Sequence, residues 1–451
     1  MRHLYHDDLY RFSEPEPSWW EASAGAERPD ARPLQGDAAC EVGIIGGGYT
    51  GLSAALHLAR EHGIEARVLE AGHLGWGASG RNAGFCGIGA TSLSLTGMLQ
   101  RYGLEDTRRF YRSQVEGIEL VRDLVARGGG DAQPAGEAEL EIAHSPRAFA
   151  GLREHAERQR ELLGIDNEIL GPEAFAERYF RPAVVHGAVV QRPCFALHPL
   201  RYLFGLARQA MEAGARLHPL SEVVAWHRQG AEHVLVTRSG SLRCRRVIVA
   251  ANGFMPEHLH GSFRGRPLPM ISAIVVTRPL TAAELAAHGW HGSNPAITSQ
   301  HVLHYFRLLP DGRFLFGGRG HSRGHRAGAE RNYEALGRQL GRLFPAWWQV
   351  PLEYRWHGLI CITRRLTPCI GRLEEDPGVY FAFGYHGNGV NTATWAGREL
   401  AAWLAAGERA PCPDTVPLML RGLSARFPVA SLRLAYLQAR LAVFRLQDAL
   451  G

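Results

Sequence analysis

A chain of 451 residues with 45% hydrophobic and 21% charged residues is long enough for several units with their own cores. The formal charge of +6 comes from basic residues interleaved with acids, so it implies no nucleic-acid partner. All 50 Lys/Arg positions are arginine, which excludes a lysine Schiff base, a phosphate-loop lysine and a lysine general base; the seven cysteines, odd in number and without a CxxC, argue against a disulfide framework or zinc site and for a reducing compartment, read as the cytoplasm.

Residues 1–37 are rich in Pro, Glu and Trp and have no apolar core of a signal peptide. They read as an arm that packs through its aromatics. No run reaches the roughly 18 apolar residues of a membrane span. Residues 42–45, Val-Gly-Ile-Ile, read as a buried strand running into Gly46, Gly48 and Gly51 in G-x-G-x-x-G spacing. Leu52, Ala55, Leu56 and Ala59 then recur at helical spacing until Gly63. A second strand, 66–69, ends at Glu70. The residue types fit a dinucleotide. Gly46 permits the turn, Gly48 lets backbone approach a pyrophosphate, and Gly51 lets helix and strand pack closely. The helix N-terminus faces the phosphates, and Glu70 accepts the ribose hydroxyls while repelling a 2′-phosphate. A lone glycine pattern is weak; strand, helix, second strand and acid together make it strong.

Residues 72–89 are glycine-dense, too irregular for a helix or strand, and read as a loop wrapping a ligand, with Trp76, Phe85 and Cys86 asking for burial. Residues 101–165 look helical, with a strand near 138–145. A helix over 198–216 is closed by Gly214, and strands follow at 223–224, 234–236 and 246–250, the last ending at Ala251-Asn252-Gly253. Residues 266–350 alternate as strands, with Pro310-Asp311-Gly312 as a hairpin signal, and read as an antiparallel sheet followed by a helix ending near Phe344. Residues 379–404 repeat the opening: strand, glycine turn, helix. The tail, 431–450, reads as an amphipathic helix packed on the body, with membrane-surface attachment as the competing reading.

GGGYTG, GWGASGRNAG, IVAANG, RLLPDGRFLFGG, RWHGLICITRRLTPCIG and GYHGNGVNTATWAG together resemble the FAD-dependent amine and amino-acid oxidoreductases of the D-amino-acid oxidase superfamily. The layout is similar to the gamma-glutamylputrescine oxidoreductase branch over most of residues 15–450. The fold this implies is α/β: a Rossmann-like FAD-binding domain from 38–100, 198–265 and 353–425, an antiparallel-sheet substrate domain from 101–197 and 266–352, the arm, and a C-terminal helix over 426–451. The resemblance implies that Gly46, Gly48, Tyr49, Thr50 and Gly51 meet the FAD pyrophosphate, with Glu70 and Ala71 at the ribose. It places Ser79, Gly80, Arg81, Asn82 and Gly84 along pyrophosphate and flavin, Val223 or Val224 at the adenine, and Ala251 and Gly253 beside the cofactor. Gly384, Gly387, Asn388, Gly389 and Val390 would set the last helix against the flavin pyrimidine, whose reduced form gathers negative charge.

In such enzymes a hydride leaves the carbon beside a neutral amine for flavin N5, and the imine hydrolyses; orientation and water exclusion matter more than a strong acid or base. The candidate catalytic residues are Tyr305 and Arg307, on one face of a strand, His386 in the glycine turn, and Asn391, where sarcosine-type members carry a lysine. Each has a plainer reading: a solvent-facing or paired arginine, and a hydrogen-bonded loop histidine. His357 is a weaker candidate. Cys361 falls near where covalent-flavin relatives attach the cofactor, but its flanks fit an ordinary buried cysteine. The expected partners are a small amine or amino acid and O2, a quinone or another electron acceptor. An FAD dehydrogenase of a hydroxy substrate and a non-catalytic flavin-binding accessory protein stay open.

Overall fold

Val42 to Ile45, the apolar half of the strand Ala38–Ile45, are buried because parallel strands lie on both sides of them: Ser241–Val249 and Ala66–Leu69. The computed structural model, which describes residues 4–25, 28–128, 131–320 and 324–449, continues this sheet outward on both edges. Its order is Cys369–Arg372, Val379–Phe383, Ser241–Val249, Ala38–Ile45, Ala66–Leu69, Arg216–His218, with a hairpin of Ala225–Gln229 and Glu232–Val236 added to Ser241–Val249. Strands buried on both faces need helices above and below. Tyr49–His62 and Val390–Ala405 supply one layer. They touch backbone to backbone, since a Cβ on Gly397 would stand 2.4 Å from the Thr50 carbonyl oxygen.

A second sheet of eight strands runs Leu352–Thr363, Pro267–Pro279, Arg313–Arg319, His304–Leu308, Ala296–Thr298, Glu139–Ile142, Ala188–Arg192, Asp166–Leu170. All its pairings are antiparallel except that of Ala296–Thr298 with Glu139–Ile142. Alternation sends Phe306, Phe314, Phe316, Leu140 and Ile142 to one face, where they pack with Trp290, Phe344 and Trp347. Each large side chain so buried contributes about 2–3 kcal/mol. The opposite face carries Tyr305, Ile297 and Glu141 in one cross-sheet row, and it looks toward the first sheet.

Leu352–Thr363 pairs with Pro267–Pro279, so it belongs to this second sheet and not to the nucleotide-binding part, where the boundary at residue 353 had put it. Val223 and Val224 lie just before the strand Ala225–Gln229, not in a strand of their own. The glycine-dense loop holds more structure than its composition suggests. Asn82 Nδ2 donates to the carbonyls of Ala78 and Ser79, and its Oδ1 accepts from Gly84 N–H, which fixes a helical turn over Ala78–Arg81. Phe85–Cys86 then pairs with Phe195–Ala196.

The N-terminal arm lies on the joint between the sheets. Phe12 packs on Trp76 and Phe254, and Trp20 is buried against His198 and Trp356. The C-terminal helix, Arg433–Ala449, packs Leu437 and Leu441 on Leu268 and Met270. Among the described residues no helix is long and apolar enough to cross a membrane.

Candidate active site

A cavity of about 510 Å³ separates the two sheets. One end is backbone. Gly46 turns with φ +107°, and a Cβ there would stand 2.8 Å from the Ala250 carbonyl oxygen. A Cβ on Gly48 would stand 2.8 Å from Ser79 Oγ. The helices starting at Tyr49 and Val390 have no side-chain cap, and both N-termini line the cavity. Glu70 closes this end. Its two oxygens accept the N–H groups of Gly47 at 2.7 Å and Gly72 at 2.9 Å, and burial pushes its pKa above the usual carboxylate range.

Arg81 forms the cavity's side. Its guanidinium stacks over Trp76, donates to the Trp76 and His357 carbonyls, and meets Glu16 of the arm at 3.2 Å. Arg81 is only 6% exposed, and its Nη2 has no partner among the described residues. A glycine cradle, two uncapped helix ends, a carboxylate at the second strand tip and an orphaned guanidinium N–H suit a dinucleotide with a pyrophosphate. The residues present fit FAD.

Among the expected cofactor residues, Tyr49, Thr50, Ala71, Ser79 and Asn82 line the cavity, as do Val223, Ala251, Gly253, Gly387, Asn388, Gly389 and Val390. Val224 does not, and its N–H donates to the Val236 carbonyl. Gly51, Gly80, Gly84 and Gly384 also stand back from the cavity. At Gly51, Gly80 and Gly84 the chain crosses other backbone, and a Cβ would come within 2.0 Å of a carbonyl oxygen; at Gly384 it would meet Thr363 Cγ2 at 2.4 Å.

The other end is side chains from the second sheet. Tyr305 lies over Gly317, with its hydroxyl 2.8 Å from Ser272 Oγ, and burial pushes the phenol up to about 12. Arg319 lines the same end. Its Nη1 meets Met270 Sδ, it has no carboxylate partner among the described residues, and burial lowers its pKa. Sequence reasoning passed over Arg319, Ser272, Glu139 and Glu141. The spacing of Glu139 and Glu141 around Leu140 was their only signal, and it reads equally as a solvated strand face.

Arg307 and Asn391 are placed differently from expectation, while His386 lies in the expected turn with the plainer role. Arg307 does share a sheet face with Tyr305 but does not line the cavity. Leu197 and Trp20 cover it: Nη2 donates to the Leu197 carbonyl at 2.6 Å, and the guanidinium lies 5.4 Å from the Trp20 ring. Burial alone lowers its pKa to about 9. Asn391 is fully buried against the helix Leu95–Arg127, donating to the Gln114 carbonyl, away from the cavity. His386 lines the cavity, but both ring nitrogens are engaged: Nε2 accepts the Thr363 N–H at 3.3 Å, which leaves Nδ1 to donate to Ser92 Oγ at 2.9 Å. Burial pushes its pKa down to about 3, so it stays neutral with no free lone pair for a proton. His357 Nδ1 lies 2.7 Å from the Tyr333 hydroxyl. Cys361 lines the cavity as a thiol whose pKa burial raises.

The family model described as FAD dependent oxidoreductase matches residues 41–403. The chain belongs to this family. It is therefore an FAD-dependent enzyme. It is 32% identical over 402 residues to the gamma-glutamylputrescine oxidoreductase of Escherichia coli K12, covering 86% of this chain and 88% of that one. It is 30% identical over 398 residues to a probable oxidoreductase, OrdL, of Rhizobium meliloti, covering 87% and 88%. Among solved structures, glycine oxidase from Geobacillus kaustophilus superposes with a TM-score of 0.69 at 22% identity, covering 86% of this chain and all of that one. That likeness shows the shared fold.

Proposed function

We propose that this FAD-dependent oxidoreductase oxidises the C–N bond of a small amine or amino acid to an imine, which water then hydrolyses. The observation that carries the reading is the chemistry of the cavity's sheet-facing end. It offers a neutral phenol, a neutral histidine with both nitrogens engaged, a guanidinium, and the Glu139 carboxyl, which burial keeps protonated up to about 8, so no strong base stands ready there among the described residues. Oxidation of an amine that is already neutral needs none. Bound FAD supplies the hydride acceptor. Gly46, Gly48, Glu70, Arg81 and the helix ends at Tyr49 and Val390 would hold it. Tyr305 and Arg319 then bound the space where substrate sits, and the surrounding sheets exclude water. The amine-specific relative supports the substrate class. The seven free cysteines, five of them buried, support a reducing compartment, and we place the enzyme in the cytoplasm.

The test is anaerobic reduction of the purified holoenzyme with polyamines, N-acylated diamines, N-methyl amino acids and D-amino acids, followed by admission of air. Bleaching of the flavin by one amine class is expected. Fast recolouring identifies O2 as acceptor, and slow recolouring a quinone or other acceptor. No bleaching by any amine, with bleaching by a hydroxy acid, would overturn the reading.

A further inference from the structure

A second cavity, of about 210 Å³, adjoins the first and shares five wall residues with it: Ile88, Gly89, Thr91, Glu139 and Ile297. Glu139 and Glu141 form its acidic wall. Both lie on the strand Glu139–Ile142, whose alternation buries Leu140 and Ile142 in the aromatic core and turns both carboxylates the other way. Both acids are partly exposed and line the second cavity, Glu139 the first as well. Neither has a hydrogen-bond or cation partner among the described residues. Burial pushes Glu139 up to about 8, with the Glu141 charge adding to it, and Glu141 up to about 7. Buried carboxylates are ordinarily paired; two side by side without a cation leave charge demand unmet.

The pair has a fixed relation to the reaction end. Glu141 stands beside Ile297, and Ile297 stands opposite Tyr305. Two strand spacings, about 10 Å, separate the Glu141 and Tyr305 backbones, and the phenol leans farther from the acids, over Gly317 to Ser272. The path between them passes Ile88 and Ile297, both apolar. An extended ligand from Tyr305 to the pair is thus polar at both ends and aliphatic between them.

We propose that Glu139 and Glu141 form a subsite for a second, protonated nitrogen of the substrate, so that the enzyme selects di- or polyamines over simple amines. The subsite rests on the amine-oxidation reading and extends it. An ammonium has three N–H donors, enough to engage both carboxylates by charge-assisted bonds. The arrangement also sorts the two nitrogens of one molecule. The one held by the acids keeps its proton, while the one near Tyr305 meets no carboxylate that would hold it protonated. The reacting end is thereby the neutral end, as C–N oxidation requires.

The test compares α,ω-diaminoalkanes with monoalkylamines of equal chain length, in the parent holoenzyme and in Glu139→Gln and Glu141→Gln. The parent should prefer the diamine by tenfold or more in kcat/KM. In each variant that ratio should fall at least tenfold, through KM and not kcat. Equal use of both amines by the parent, or variants that leave the ratio unchanged, would overturn the subsite. Calorimetry of a diaminoalkane binding to oxidised holoenzyme gives a readout without turnover. Binding should release protons, seen as heat that depends on the buffer, and should weaken at least tenfold in either variant. If no amine is oxidised yet this binding pattern holds, the amine-oxidation reading has failed and the subsite has not. Diamine binding that is indifferent to both substitutions would remove the subsite. Should the variants not fold, the parent's diamine preference and buffer dependence decide.

Discussion

The nucleotide-facing wall of the cavity is made of backbone, and the sheet-facing wall of side chains. On the first, polar groups meet one another: Glu70 holds two N–H groups, Ser79 Oγ accepts from Tyr49 N–H, and Asn82 spans three backbone groups. On the second, among the described residues, Arg319 faces the cavity without a counter-ion, and Glu139, which this cavity shares with the adjoining one that Glu141 also lines, has no cation. A wall that binds the same cofactor in every turnover can pair most of its groups internally and leave open only those the cofactor would meet, here the helix ends at Tyr49 and Val390 and Arg81 Nη2. A wall that takes up and releases substrate leaves charge for the substrate to satisfy. The difference assigns cofactor affinity to one wall and selectivity to the other, and single substitutions should separate them.

The largest effect belongs to the backbone wall. Gly46→Ala forces a side chain into φ +107° and toward the Ala250 carbonyl. Such strain costs about 1–3 kcal/mol before any clash is counted. FAD affinity should fall by roughly 100-fold or more, equivalent to about 2.7 kcal/mol. The check is titration of apoprotein with FAD, followed by return of visible flavin absorbance. A variant that purifies with a full complement of flavin would show that the turn is not the cofactor cradle.

The two walls also differed in how far they could be read from sequence, for the same reason. The cradle is local: Gly46, Gly48, Gly51 and Glu70 lie within one βαβ unit, and their spacing carries the geometry. The sheet-facing wall gathers Glu139, Ser272, Tyr305 and Arg319 from strands far apart in the chain, and no local pattern states that they meet. Periodicity told which face Arg307 occupies but not that Trp20 and Leu197 cover it. It told that Asn391 opens the last helix but not that Gly117 of another helix lies against it. The boundary at residue 353 separated Leu352–Thr363 from Pro267–Pro279, with which it pairs, because strand character is local while strand pairing is not.

On the side-chain wall, Arg319→Met should act on selectivity. A charge-assisted hydrogen bond is worth about 1.5–3 kcal/mol. A carboxylate on the substrate would meet the unpaired Arg319, so kcat/KM for amines that carry one should fall by roughly 10–100-fold relative to amines that do not. The flavin content should stay at the parent level, because Arg319 belongs to the other wall. A loss of flavin together with activity would blur the division between the walls.

A smaller effect is expected at His386. Asparagine tolerates its φ of 55° and can still hydrogen-bond in the turn. If the histidine were a general base, His386→Asn would cost roughly 10²–10⁴ in rate. With both nitrogens engaged, the expected loss in kcat/KM is only a few-fold, and the pH–rate profile should keep its shape. A vanished ionisation in that profile would return His386 to the chemistry.

The smallest effect is a matter of pH. Glu139 and Glu141 hold their protons in the folded chain up to about 8 and about 7, whereas the ordinary value is 4.5. Between about 4.5 and about 8 the folded chain therefore binds more protons than the unfolded chain, and stability falls as pH rises through that window. Below it both states are protonated and above it both are ionised, so the pair adds no slope in either region. Replacing both acids by glutamine removes the pair's share of the slope. At about 2–4 °C per kcal/mol, the thermal midpoint of the double variant should decline less with pH than the parent's, by a few degrees across the window. A bound diaminoalkane should flatten the parent's curve in the same way, because its charge stabilises the ionised carboxylates. A double variant whose midpoint still falls as steeply as the parent's would place the titrating groups elsewhere, and with them the unmet charge that an ammonium would satisfy.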